Sequence, residues 1–459
     1  MIRVDFEFLV NKIDREVIVC PDCKGRLFVK KEPLALFCSV CNSKYPIING
    51  IPVLFPSKKL FFKGDEISQQ INYKFASEDL LIAFGVSSGF QFKDNSLSHE
   101  FGNISGRFSL DNKQDILENI IPVNIDNTIA NHSGLEFVRS YGGIQLKRKS
   151  IVYRSFRVCN RISETIGTVG VNPYHISYHV FDSLGNCIIF EGLRSRIPIP
   201  MINGKELTIP IKIEVPDVLD DCFFTFHLVH EGIEWFPEFS QAKYTIINDS
   251  LNIPNLKEGQ DGDFNYVEDL KICSDMINSI GLSTHTGNDD NAALFVEIAS
   301  GFHPQLLLNR NHNSDVICID LCLPELQLAN IYYRDNLPDS KFIMLSGDCM
   351  DLPLGHNSVN LFVICAALHH FSNPVELLKS LKLYLKPSGK ILLLREPSFV
   401  NPEDSNFIRE LSLGFNEQQF HIDEWISIFE VADFQIDEIR IDFGGSLKAI
   451  LSYAINCKD

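Results

Sequence analysis

Two cysteine pairs near the start of the chain constrain its fold more than any other feature. Cys20-Pro21-Asp22-Cys23 is followed, after fourteen residues, by Cys38-Ser39-Val40-Cys41. A Cys-x-x-Cys turn lets both sulfurs of a pair reach one metal, and a hairpin between two such turns brings four thiolates onto a tetrahedral ion. Leu27-Phe28-Val29 and Leu34-Ala35-Leu36-Phe37 supply the strands of that hairpin, and Lys30-Lys31-Glu32-Pro33 its turn. With Cys20, Cys23, Cys38 and Cys41 as ligands, every position on the ion is filled, so the metal is structural and not catalytic. Zinc is the expected ion, although iron shares tetrahedral sulfur ligation. A unit this small buries too little to hold together by packing alone, and the metal supplies part of its folding energy.

The surrounding residues resemble the small zinc-ribbon domain of methyltransferase activator subunits and of related short bacterial proteins. The resemblance rests on Cys20-Pro21-x-Cys23-x-Gly25-x-Leu27, Leu36-x-Cys38-x-x-Cys41, Tyr45-Pro46-Ile47 and Gly50-Ile51-Pro52-Val53-Leu54, within Val17 to Phe55. It implies a docking or stabilising role beside a methyltransferase and a protein partner met through the ribbon.

The chain has 459 residues, too many for one ordinary core, and its length suggests about three domains. Its 45% hydrophobic and 22% charged residues are those of a globular protein, and 35 phenylalanines point to substantial cores. The net charge of −18 comes without any long Lys/Arg block. Direct nucleic-acid binding, which draws on a basic surface to release phosphate counterions, is therefore not expected. Met1 to Val10 lacks the apolar core of a signal peptide, and no apolar run is long enough to span a membrane. The chain reads as cytoplasmic, with its nine scattered cysteines as buried reduced thiols.

Residues 61–130 form a connecting stretch with no functional reading. From 131 to 250 the hydrophobic period is two. Ser150 to Val158, His175 to Phe181, Leu207 to Val215 and Phe224 to Leu228 alternate apolar and polar, with turn signals at Asp182 to Asn186 and Asn203-Gly204. Short strands at this spacing predict an antiparallel β-sandwich, with Pro210 marking an edge or a bulge. The segment resembles the immunoglobulin-like accessory domains joined to bacterial surface-polysaccharide enzymes, through Asn160, Tyr178 with Asp182 and Gly185, Glu191-Gly192-x-Arg194 with Pro198, Glu214-x-Pro216 and Val229-x-Glu231-Gly232-x-x-Trp235-Phe236. That likeness implies a glycan or lipid-linked sugar context. His175, His179, His227 and His230 read as ordinary packed or exposed histidines. Trp235 and Phe236 read as core or rim aromatics.

Residues 251–459 repeat strand, turn and helix, the pattern of a parallel α/β sheet. After a linker at Asn252 to Asn265 and a helix at Tyr266 to Ile280, strands are predicted at Ala293 to Ile298, Asp315 to Asp320, Phe342 to Leu345, Val359 to Ile364 and Lys390 to Leu394. A helix is predicted at Pro374 to Leu385, with a turn at Lys386 to Gly389. A glycine-bearing turn after the first strand brings backbone N–H groups near a ligand, and an acid ending the second can accept both ribose hydroxyls. Asp320 stands 19 residues beyond Gly301, at the spacing such a pair needs. This ordered set resembles the small-molecule class of S-adenosylmethionine-dependent methyltransferases over Asn291 to Asp442. The family's glycine loop maps to Glu297-Ile298-Ala299-Ser300-Gly301-Phe302-His303. Its ribose acid maps to Asp320 followed by Leu321, its adenine contacts to Asp348 and Cys349, and its post-strand segment to Ala366 and Ala367 to Pro374.

The resemblance thus implies a cofactor held by Glu297, Ala299, Gly301, Asp320, Leu321, Asp348, Cys349 and Ala366. The chain departs from the family at Ala299 and His303, which replace loop glycines, and at Asn360, which replaces an acid in the fourth strand. Ala299 costs little if its φ is negative. His369 and His370 sit where an acceptor would lie, and an unperturbed imidazole titrates near neutrality, so both are candidate general bases. The sequence as a whole predicts a multidomain protein: a zinc ribbon at 1–60, the connecting stretch, an Ig-like β-sandwich at 131–250, and a C-terminal α/β Rossmann-like methyltransferase domain. The expected activity is methyl transfer to a sugar, glycolipid or other small acceptor. The competing readings are a scaffold with a decayed cofactor site, and a methyltransferase of tRNA or a translation factor.

Overall fold

The computed structural model describes residues 6–31, 34–48, 50–56, 134–143, 145–248, 253–280, 293–299, 315–321, 323–336, 341–413 and 415–453. The stretch 61–130, the Glu32-Pro33 tip of the first hairpin, and Gly301 and His303 lie outside them. Helix α1 (Phe6–Asp14) turns Phe8, Leu9, Lys12 and Ile13 inward on one face. Strands β1 (Leu27–Lys31), β2 (Leu34–Cys38), β3 (Lys44–Ile48) and β4 (Ile51–Pro52) follow in an antiparallel meander.

The second unit contains β5 (Leu135–Ser140), β6 (Gln145–Lys147), β7 (Ile151–Asn160), β8 (Tyr174–Phe181), β9 (Cys187–Ile189), β10 (Ser195–Arg196), β11 (Glu206–Glu214), β12 (Asp221–His230) and β13 (Glu234–Ile247). They form a three-stranded sheet, β11-β7-β5, and a larger one, β10-β8-β12-β13-β6, with β9 beside β8. Phe156, Val158 and Ile209 from the first sheet meet Ile176, Tyr178, Phe224 and Phe226 from the second in one core. The antiparallel expectation needs one correction, because β6 pairs in parallel with β13. Pro210 lies on β11, an edge strand in regular register with β7, so no bulge is needed to accommodate it.

The third unit runs β14 (Leu256–Lys257), α2 (Tyr266–Ser279), β15 (Leu294–Ile298), β16 (Asp315–Asp320), α3 (Leu323–Asn336), β17 (Phe342–Ser346), β18 (Val359–Cys365), α4 (Pro374–Leu381), β19 (Leu385–Pro397), α5 (Ser405–Leu413), α6 (Ile422–Val431), β20 (Gln435–Asp442) and β21 (Ser446–Ser452). One-turn 3-10 helices occupy Cys349–Asp351 and Leu368–His370. The sheet order is β14-β20-β21-β19-β18-β15-β16-β17, with β15 to β19 parallel and β21 antiparallel to both its neighbours. Every residue of β15 and β17 is buried, which explains why these strands are continuous apolar runs without alternation. Connections leave in opposite directions from β15 and β18, and that switch point is where open α/β sheets bind ligands.

Two sequence expectations change here. The supposed linker before α2 is bound to the sheet: β14 pairs with β20, and Gln260 O accepts from Phe443 N at 2.6 Å. Gly259 permits this approach, since a Cβ there would overlap the Ile441 carbonyl. Lys386 to Gly389 is not a turn ahead of a strand. It bulges within β19, where Val359 pairs with Leu385 and Leu361 already pairs with Lys390.

The ribbon is not free-standing. Val53 pairs in parallel with Ser346 at the end of β17, Leu54 N donates to Ser346 O at 2.7 Å, and Ile18 bridges Leu354. Phe8, Leu9, Ile13, Leu27 and Tyr45 share one core with Leu294, Ile343, Leu345 and Leu354. The segment thereby covers the exposed edge of β17, an edge that would otherwise invite pairing with another chain. The second unit also packs on the third, with Phe407 and Leu411 of α5 entering its core.

Candidate active site

Among the described residues, the predicted cofactor residues lie at or just beyond the carboxyl ends of β15 to β18. Glu297 is 1% exposed, and its Oε2 meets no partner among the described residues. Burial and the neighbouring Asp320 carboxylate hold its carboxyl well above the usual range. Asp320, ending β16, is half-buried, and its carbonyl accepts from Gly347 N at 3.0 Å. Leu321 packs against the core on the α3 side of the sheet. Asp348 N-caps the first 3-10 helix, its Oδ1 accepting from Met350 N at 2.8 Å. Cys349 is buried beside Ala299, Asp320 and Asp348, and burial pushes its thiol far up.

The condition under which Ala299 would cost little is not met: its φ is +51°. The chain must turn sharply out of β15, and the left-handed conformation that suits glycine is imposed on alanine at a cost of about 1 kcal/mol. Ala366, at the end of β18, has φ +50°, and Arg395 in β19 has φ +58°. Asn360 is elsewhere. It sits at the opposite end of β18, where its Oδ1 accepts from Leu294 N at 3.0 Å and Lys386 Nζ at 2.9 Å. That departure from the family pattern leaves the site untouched.

His369 and His370 lie on the second 3-10 helix, and the expectation of unperturbed imidazoles is corrected. His369 is 6% exposed, with Nδ1 at 2.7 Å from Glu396 Oε2 and Nε2 at 3.4 Å from Glu417 Oε2. Burial opposes its charge, but the Glu417 and Glu396 carboxylates outweigh it and raise the imidazole to about 10. Burial and the charge on His369 push His370 down. Glu396 is buried and also accepts N–H bonds from Ala367, Leu368 and His369, which fixes the whole segment.

Sequence reasoning missed Glu396, Glu417 and Gln418. Gln418 Nε2 donates to His369 O at 2.9 Å and Phe371 O at 2.7 Å, while Thr208 of the two-sheet unit donates to Gln418 Oε1 at 2.7 Å. Asn416 likewise joins His370 O to Arg157. The only sequence signal was an acid, Glu396, just past an expected strand.

The ribbon cysteines gather as predicted. Cys20 and Cys41 sulfurs are 3.6 Å apart, Cys23 and Cys38 sulfurs 3.4 Å, and all four lie within 4.8 Å. Four thiolates bonded to zinc at about 2.3 Å would stand about 3.8 Å apart, so the set fits that ion. Lys24 and Asn42, each following the second cysteine of a pair, have φ of +58° and +61° and wrap the chain back toward the sulfurs. His179 stacks on Trp235 with centroids 4.7 Å apart, and His175 lies 3.2 Å from Glu231. Phe236 packs against the two-sheet core. A cavity of 610 Å³ opens at the opposite, amino end of the sheet, between the ribbon and Leu294, Asp315 and Lys386, away from these groups.

Residues 296–393 match the family model described as a methyltransferase domain, and residues 16–50 match that of the Trm112p-like proteins. A UPF0434 protein of Pectobacterium carotovorum is 44% identical over 54 residues, 12% of this chain and 90% of that protein. One from Yersinia pestis is 46% identical over 51 residues, 11% of this chain and 85% of that protein. Among solved structures, a SAM-dependent methyltransferase from Aquifex aeolicus aligns with 41% of this chain and 98% of its own, at 15% identity and TM-score 0.31. The complex of the Haloferax volcanii Trm112 methyltransferase activator with a methyltransferase aligns with 40% of this chain and 94% of that one, at 15% identity and TM-score 0.32. Through its N-terminal ribbon the chain belongs to the UPF0434 family, and it joins that segment to a methyltransferase domain and to a two-sheet unit that neither family model covers.

Proposed function

We propose that this protein is a cytoplasmic S-adenosylmethionine-dependent methyltransferase acting on a sugar, a glycolipid or another small acceptor. The observation that carries the reading is the pairing of Glu297, with its unpartnered oxygen, and Asp320 at the ends of adjacent central strands. An enclosed carboxyl beside a strand-end carboxylate suits a ligand that offers hydroxyl and amine donors, as this cofactor does. When bound, the cofactor supplies a methyl group on a sulfonium sulfur, open to in-line displacement. Asp320 with Leu321 would hold the ribose, Asp348 and Cys349 the adenine, and Glu297, Ala299, Gly301 and Ala366 the loop side of the ligand. The acceptor would lie by His369 and His370, where Arg157 and Thr208 of the two-sheet unit brace the wall through Asn416 and Gln418. A wall built from two units gives that module a direct part in shaping the acceptor space, which favours a compact acceptor.

The Trm112p-like ribbon favours a second reading, methylation of tRNA or a translation factor. The charge of −18 weighs against RNA, and the ribbon already docks on β17 within its own chain, which favours a stabilising role. Its exposed Val40 and Phe28 leave a face for a protein partner.

Calorimetry on the full-length, zinc-loaded chain tests the cofactor reading. S-adenosylmethionine should bind, and Asp320→Ala should weaken it at least about tenfold, the loss of one charge-assisted hydrogen-bond pair. A folded, zinc-loaded protein that binds none would overturn the proposal and leave the scaffold reading. Transfer of radiolabelled methyl to RNA or protein, and never to nucleotide sugars or glycolipids, would overturn the acceptor class.

A further inference from the structure

We propose that His369, His370 and Glu417 form a second metal site, for a divalent first-row transition ion, on the acceptor side of the cleft. The three side chains offer ligand atoms that all lie within 4.8 Å of one another. Glu417 Oε2 stands 3.4 Å from His369 Nε2 and 3.1 Å from His370 Nδ1. Nitrogen and oxygen ligands bonded to one ion at about 2.1 Å are separated by roughly 3.0 to 3.4 Å, for octahedral and tetrahedral arrangements respectively. The separations are those of groups sharing an ion.

The orientation of these groups argues in the same direction. In a simple ion pair the carboxylate would form a well-aligned hydrogen bond to one imidazole. Here a single oxygen lies between two ring nitrogens, and both Glu417 Oε2 and His370 Nδ1 are buried without a hydrogen-bond partner. His369 is held as metal-binding histidines usually are: its Nδ1 bonds to the buried Glu396 carboxylate at 2.7 Å, which turns Nε2 toward Glu417, where a bound ion would take the place of the ring proton. The backbone carbonyls of His369 and His370 are fixed by Gln418 and Asn416. Glu396 and Glu417 bracket His369 on its two ring nitrogens, so the cluster brings carboxylate oxygens and imidazole nitrogens together in the donor set that a divalent ion takes. The His370 side chain is 35% exposed and that of Glu410 30%, so the cluster lies near the surface although its ligand atoms are buried. Two imidazoles with a carboxylate suit Mn²⁺, Fe²⁺, Co²⁺ or Zn²⁺, unlike the four-thiolate ribbon.

Three protein ligands leave coordination positions for water or for an acceptor oxygen. On the methyltransferase reading, on which this step alone depends, a coordinated acceptor hydroxyl gives up its proton more readily to solvent water. The oxygen lone pair then forms the bond to the methyl carbon as the carbon–sulfur bond breaks, and the sulfonium leaves as a neutral thioether. The acceptor class narrows to hydroxyl compounds.

The test titrates the zinc-loaded, full-length chain with Mn²⁺ and follows free Mn²⁺ by electron paramagnetic resonance, with Co²⁺ and Zn²⁺ as further probes. One ion per chain should bind beyond the ribbon's equivalent, and Glu417→Gln and His370→Ala should each weaken binding at least tenfold. Melting curves without added metal report whether each variant is folded. If Glu417→Gln does not fold, the partly exposed His370→Ala carries the test. A wild-type chain that takes up none of the three ions beyond the ribbon's equivalent, or folded variants that bind as wild type, would overturn the site. Calorimetry with S-adenosylmethionine on the same samples separates the claims. Metal uptake without cofactor binding retains the site and removes the methyltransferase reading, and cofactor binding without metal uptake does the reverse.

Discussion

Ala299 holds a left-handed turn at the end of β15 with a Cβ that glycine would lack, and Ala366 does the same at the end of β18. Strained backbone of this kind persists only where the surrounding structure imposes it, and here it flanks the proposed cofactor crevice. Ala299→Gly should change stability by no more than about 0.5 kcal/mol, since relief of strain offsets the added freedom of the unfolded chain. Ala299→Val should cost about 2 kcal/mol, because a β-branched residue at positive φ is a true outlier. Urea midpoints measure both. A Val variant as stable as wild type would show that the turn is not left-handed.

Among the elements, the seam between β7 and α6 depends on protonation. Glu424, at the start of α6, is buried and accepts from Ser155 N at 2.7 Å and His421 N at 2.8 Å. Arg154 and Asp423 form a buried pair at 2.6 Å beside it, and His421 contacts Asp423 at 2.5 Å. Burial pushes the Glu424 carboxyl up to about 7, against the attraction of Arg154. The folded state therefore holds this proton more tightly than the unfolded chain. Its contribution is fully present below about pH 4.5 and is lost as pH rises through about 7, a change of about 3 kcal/mol. Stability measured from pH 5 to 8 should fall more steeply in the wild type than in Glu424→Gln. Parallel curves would refute the assignment.

At the scale of the whole molecule, one core joins the ribbon to the α/β sheet, so metal and fold are linked. Stripping zinc with a chelator should lower the melting temperature of the α/β unit as well as the ribbon, because Val53 and Leu54 would no longer cover β17. Calorimetric scans with and without chelator check this, and an unchanged α/β transition would show that the units are independent. Gly355→Ala probes the same seam without touching a cysteine. Its N–H donates to Val17 O at 3.0 Å, and an added Cβ would press on Glu16 O, at a cost of about 1–3 kcal/mol in denaturant unfolding.

The sequence by itself determined what is local and periodic. The cysteine spacing defined the ribbon, alternation marked β7, β8, β11 and β12, and continuous apolar runs marked the parallel strands. The strand ends that carry Asp320 and Asp348 were legible because a strand end followed by a turn has a short-range signature. Tertiary structure alone decided the contacts between units, which have no sequence period. Hydrogen bonding of the supposed linker to β20, docking of the ribbon on β17, and the convergence of Glu396 and Glu417 on His369 each join residues far apart in the chain. The sign of φ at Ala299 was likewise set by the path the backbone must take out of β15, and not by the alanine. Long-range packing also pushed two histidines that sequence treats as ordinary imidazoles in opposite directions, His369 up and His370 down, because burial and neighbouring carboxylates depend on what the fold brings beside them.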